Sequence, residues 1–80
     1  MIAQGMRDLS QGRETDWALL VSIGAPRLGT LGFTITSPFS SPERRLYDRL
    51  AASDEDSAHS RYNALIRRLV SFERAAACAK

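Results

Sequence analysis

One cysteine, one histidine and one lysine are all that these 80 residues hold of three chemically versatile side chains. Cys78 has no second cysteine with which to form an intramolecular disulfide. Together with His59 it falls short of the four ligands of a structural zinc site. A chain this short buries only about 60% of its extended surface. Without a disulfide or a metal, such a domain leans on an exceptional core or on a partner. The missing staples therefore predict a homodimer or a complex with another protein.

The same scarcity bears on catalysis. His59 and Cys78 stand nineteen positions apart on what reads as one helix, about 28 Å at 1.5 Å per residue. Asp54, Glu55 and Asp56 are consecutive, so they do not share one helix face, and they read as helix-capping residues. Gly24, Gly29 and Gly32 are followed by no Lys-Ser/Thr pair, which removes a phosphate loop. No nucleophile, base and orienting group can be assembled. The expectation is a protein that is not an enzyme, with no catalytic residue, cofactor or metal.

Long apolar runs are also missing. None approaches the roughly 18 residues of a membrane span, and Met1–Arg13 lacks the apolar core of a signal peptide. The expectation is a cytoplasmic protein with no membrane contact, and a single thiol suits a reducing compartment. Net charge is small, +2, with a pI near 9.2. Nucleic-acid binders usually show a stronger and more clustered excess. Ten arginines against one lysine, with many alanines, suggest GC-rich coding, and so a high-GC bacterium or one of its phages or mobile elements.

What the sequence does hold is pattern. Residues 1–14 are polar and aperiodic, with glycines at 5 and 12, which predicts a flexible N-terminal tail, with at most a short helical turn around Ala3–Leu9, before a single ββαα domain over 15–80. Trp17–Ile23 is dense in apolar groups. It fits a strand covered on both faces, or a short helix capped by Thr15 and closed by Gly24; the strand is preferred. Leu31, Phe33 and Ile35 alternate with Gly32, Thr34 and Thr36, a strand pattern. Gly24–Gly29, with Pro26, reads as the turn of a β-hairpin over 17–36.

The second half reads as helices. Ser41, Pro42 and Glu43 form a helix start, with Ser41 as the cap. Leu46, Tyr47, Leu50 and Ala51 then share one face. Ser53–Asp56 ends that helix and places its acids in the first turn of a second one, from about Ser57 to Ala79. The apolar arc of that helix (Ala58, Tyr62, Leu65, Ile66, Leu69, Val70, Phe72, Ala76) spans about 160°, more than one helix partner requires. Glu73 sits at its edge and reads as solvated. The six aromatic residues read as core. The predicted fold is α+β, a β-hairpin packed on an antiparallel helical hairpin.

The functional expectation follows from the wide arc and the absent chemistry. It is a small protein-binding factor, an adaptor or inhibitor of another protein, acting through Tyr62, Ile66, Val70, Arg67 and Arg74. A strand followed by two helices, with Ser60-Arg61 opening a helix that continues Leu65-Ile66-Arg67-Arg68-Leu69-Val70, also resembles a ribbon-helix-helix DNA-binding domain over residues 30–74. That resemblance implies a dimeric transcriptional regulator. Thr30, Thr34 and Thr36 would face bases, and Ser60 and Arg61 would meet phosphate. It ranks second because those groove-facing positions carry no Arg, Lys, Asn or Gln.

Overall fold

The computed structural model describes residues 2–35 and 38–78. Among the described residues there are four helices and no strand: α1 (Ile2–Ser10), α2 (Asp16–Thr30), α3 (Pro42–Ser53) and α4 (Ala58–Cys78). The expected α+β fold is overturned. Its helical hairpin is present as α3 and α4, but its β-hairpin is not.

The structure departs from the expected hairpin at Trp17, inside α2. Ala18, Leu19, Leu20 and Val21 are all completely buried. A helix that is apolar all round is a central one, and α2 packs against each of the other three. Over seven residues, six of them apolar, a strand covered on both faces and a buried helix look alike. Thr15 caps the helix as the alternative reading had it, its Oγ1 accepting from the Ala18 N–H at 3.1 Å. Gly24 does not close it. The helix runs on through Pro26 to Thr30.

Gly24 and Gly29, read as the hairpin turn, lie inside α2, whereas Gly32 and Gly12, read as strand and tail residues, are helix stops. At the end of α2, Gly32 takes φ +101°. Its N–H reaches the Gly29 carbonyl at 3.1 Å and the Phe33 N–H reaches the Leu28 carbonyl at 3.0 Å. Gly12, at φ +72°, does the same for α1, with Gly12 N–H on Leu9 O at 3.0 Å and Arg13 N–H on Asp8 O at 2.8 Å. Both pairs satisfy last-turn carbonyls through a left-handed residue that favours glycine.

The segment expected as a loose tail is α1, packed on α2 through Ile2, Gly5 and Leu9, all buried. Its Asp8 is only 4% exposed. The carboxylate accepts from Gln4 Nε2 at 3.0 Å and from the Thr15 hydroxyl at 2.8 Å. A charge can be buried when hydrogen bonds replace its water. One threonine thus serves both helices, capping α2 and holding the carboxylate of α1. Thr15→Ala removes the cap, worth about 1 kcal/mol. It also removes a donor to a buried carboxylate, worth about 1–3 kcal/mol. Thermal unfolding followed by circular dichroism should show a melting temperature lower by about 8–20 °C. Thr15→Ser, which keeps the hydroxyl, should recover most of that. Equal melting temperatures for the two variants would count against this double role.

After α2 and its closing turn at Leu31 and Gly32, the described residues 33–35 belong to no helix or strand. Leu31, Phe33 and Ile35 are half-buried, and Gly32 and Thr34 are exposed. The alternation is real, but it reflects a connector laid on helices with one side covered. Thr36 lies outside the described residues. The Phe39 N–H donates to Ser22 Oγ at 3.0 Å, and that hydroxyl donates to the Ala18 carbonyl at 2.9 Å, which ties the connector to α2.

Ser41 precedes α3 in a left-handed conformation (φ 47°) and makes no side-chain cap bond, unlike the expectation; Pro42 does occupy the start of the helix. Leu46 and Leu50 are buried as read. Arg45 pairs with Glu14 at 3.1 Å and Arg49 with Asp16 at 2.9 Å, fastening α3 to the start of α2. Asp54 Oδ1 accepts from the Asp56 N–H at 3.2 Å. The acids therefore shape the turn between α3 and α4, and none lies in the first turn of α4. The largest fully buried side chains are leucines and a valine, Leu19, Leu20, Leu28, Leu46, Leu50 and Val21. The aromatic residues expected as core ring it instead, half-buried, with Tyr47 38% exposed.

Candidate functional site on helix α4

Helix α4 has 21 residues, and only Ala58 and Leu69 are buried. Tyr62, Leu65, Ile66, Phe72 and Ala76 are half-buried, and Val70 is 38% exposed. The wide apolar arc of the sequence is therefore only partly covered.

The packing explains why. The short turn after Ser53 makes α3 and α4 an antiparallel pair. The Tyr47 and Tyr62 rings meet edge-on at 5.7 Å. From Tyr47, α3 extends only five residues back to Pro42, about 7.5 Å, whereas α4 runs sixteen residues past Tyr62 to Cys78, about 24 Å. The last three turns of α4 outrun α3. On the other side they are supported. Leu69 and Glu73 lie against Gly24 of α2, where an added Cβ would come within 2.9 Å of Leu69 Cδ1 and 3.3 Å of Glu73 Oε2. Phe72 meets Phe33 at 5.5 Å. Glu73, read as solvated, is half-buried at that contact.

Ile66, Val70, Arg67 and Arg74 fall within about 100° of one another around the helix axis, so one flank carries them. Arg67, Val70 and Arg74 are exposed, and Ile66 is half-buried. Tyr62 stands apart, engaged with Tyr47. Burial pushes its phenol pKa up from the ordinary value of 10.0, and the Glu43 carboxylate adds to that. The folded state therefore holds the phenolic proton more tightly, and this contribution to stability is lost as pH rises above 10.

Thr30, Thr34, Ser60 and Arg61, the described residues named for DNA contact, do not form a ribbon. Thr30 ends α2, exposed, its hydroxyl donating to the Pro26 carbonyl at 3.1 Å. Thr34 is exposed on the connector, and Ser60 and Arg61 are exposed in the first turn of α4. With no strand among the described residues, the ribbon-helix-helix reading loses its groove-reading element. His59 is exposed, its Nε2 3.2 Å from Asn63 Nδ2. Cys78 is exposed in the last turn of α4.

One constellation escaped the sequence. Trp17, at the start of α2, lies under the guanidinium of Arg68, 5.5 Å from the ring centroid. Trp17, Arg61, Ala64, Leu65, Arg68 and Asp16 line a cleft of about 280 Å³. Reading Trp17 as part of a strand hid it, because nothing local says that two helices bring these residues together.

Helix α4 as a whole is basic. Helix α4 carries Arg61, Arg67, Arg68 and Arg74 against Glu73 alone, a local +3 in a chain of net +2. All three ion pairs found among the described residues use arginines of α3. None of the four α4 arginines has a carboxylate partner among them. No helix among those residues is long and apolar enough to cross a membrane. Protein-family models, curated proteins and solved structures were each compared with the chain, and no match was found.

Proposed function

We propose that this chain is a non-enzymatic binding factor, an adaptor or an inhibitor, that engages another protein through the flank of α4 bearing Ile66, Val70, Arg67 and Arg74. The observation that carries the reading is the overhang of α4 beyond α3. It leaves Val70 38% exposed beside Arg74; Ile66 and Arg67, one turn earlier and still opposite α3, continue the flank, and no carboxylate among the described residues pairs with these arginines. Interfaces are enriched in apolar anchors and arginine together. A small domain that keeps such a flank uncovered gains stability when a partner covers it. The exposed Cys78 thiol fits a reducing compartment such as the cytoplasm.

The test is affinity capture. The full chain, tagged, is exposed to lysate of its source organism with and without nuclease, and retained proteins are read by mass spectrometry. A protein retained in equimolar amount after nuclease treatment is the expected result. Retention of nucleic acid, with every protein lost on nuclease treatment, would replace the protein-binding reading by a nucleic-acid one. A bait that saturates itself as a homodimer and retains nothing else would confine the flank to self-association.

A further inference from the structure

We infer that the cleft between α2 and α4 receives a partner segment in which an acidic side chain is followed closely by an apolar one, with the carboxylate held by Arg61 and Arg68 and the apolar group laid on Trp17 and Leu65. The cleft lies on the opposite side of α4 from Val70, so the inference adds a second contact surface to the proposed protein-binding reading, on which it rests.

Three observations support it. The first is the state of Arg68. Its guanidinium carbon lies over the Trp17 ring, 5.5 Å from the centroid, a cation–π contact that leaves its N–H donors without a carboxylate among the described residues. An arginine already held in place loses less freedom when it binds a carboxylate, so less is subtracted from the affinity. The second is the charge around the cleft. Arg61 and Arg68 lack carboxylate partners among the described residues, and the one acidic residue in the lining, Asp16, is already held by Arg49 at 2.9 Å. The third is the floor. Trp17, Ala64 and Leu65 offer apolar surface between the two cations, so charge alone does not complement the site. Tryptophan and arginine are also the side chains in which interface energy concentrates.

Two other occupants fit less well. A phosphate backbone would meet the arginines but leave Trp17 and Leu65 without a partner, and a net charge of +2 provides little long-range attraction to nucleic acid. The acidic turn of a second copy, Asp54–Asp56, carries the right charge, but Ser53 and Ser57 beside it give nothing apolar to place on the floor.

Trp17 is the only tryptophan, so its fluorescence reports on this cleft directly. The full chain is titrated with four probes: a short capped peptide of leucine and glutamate, its glutamine counterpart, oligoglutamate, and a short DNA duplex. The leucine–glutamate peptide should change Trp17 emission saturably, with the glutamine peptide and oligoglutamate weaker by roughly tenfold each. The double variant Arg61→Gln, Arg68→Gln should weaken the peptide by about tenfold, with a melting temperature lower by no more than about 8 °C for the lost Arg68–Trp17 contact. Arg68→Lys should not restore affinity, since an ammonium lacks the planar fork.

Oligoglutamate binding as tightly as the mixed peptide would overturn the inference, as would tighter binding of the duplex. So would indifference to the double substitution. Emission that shifts with protein concentration alone would assign the cleft to a second copy. The two readings also fail separately. A silent Trp17 with a protein still captured from lysate removes the cleft and leaves the function. A responding Trp17 with no captured protein does the reverse.

Discussion

Gly5→Ala should lower the melting temperature by about 5–15 °C, although alanine is the better helix former. Local preference alone gives the opposite sign, since alanine in a helix interior is favoured over glycine by about 1 kcal/mol. Packing reverses it. A Cβ on Gly5 would overlap the Trp17 carbonyl oxygen and would lie 2.5 Å from Val21 Cγ2. The first is backbone of the central helix, and it cannot yield without moving α2 away from α3 and α4. Overpacking of this kind costs about 1–3 kcal/mol, and more where backbone must shift. Gly29→Ala is the control. It lies in α2 with nothing within 4 Å of its added methyl, so the same propensity gain should appear there undiminished. The measurement is thermal unfolding of both variants beside the parent. A fall for Gly5→Ala with no fall for Gly29→Ala is expected, and equal shifts in the same direction would show that the close approach of α1 to α2 does not govern stability.

The second half of the chain was legible and the first was not. Helix α4 begins one residue from where its periodicity put it, and Leu46 and Leu50 are buried as their spacing required. Those helices are amphipathic, and 3.6-residue periodicity over 12 and 21 residues is a strong signal. Helix α2 lacks such a signal because it is surrounded. With α1, α3 and α4 on different sides of it, its apolar residues follow no single face. The glycines then misled twice. Gly5 looked like a mark of looseness but is where two backbones meet, and Gly32 looked like a hairpin residue but closes a helix. The misplacement of the acids has a simpler cause. Asp54 satisfies the turn through its own side chain, so α4 starts after the acidic run and not within it. As for the site, the over-wide arc of α4 was readable. The pairing of Trp17 with Arg68 was not, since the two stand 51 residues apart in sequence.

Ile66→Asp and Val70→Asp should each weaken capture of the partner by about thirtyfold or more, the range of a central interface residue. Their effects on folding should differ. Val70 is already 38% exposed, so an aspartate there costs about 0.5 kcal/mol at most. Ile66 is half-buried, so its replacement should also lower the melting temperature measurably. If the α4 flank were simply core, binding and stability would fall together in both variants, in proportion to burial.

Val70→Asp is therefore the variant to measure first, with capture and thermal unfolding read on the same preparation. An interface predicts lost capture with a melting temperature within about 4 °C of the parent. Undiminished capture, or unfolding severe enough to account for its loss, would contradict a binding role for this flank.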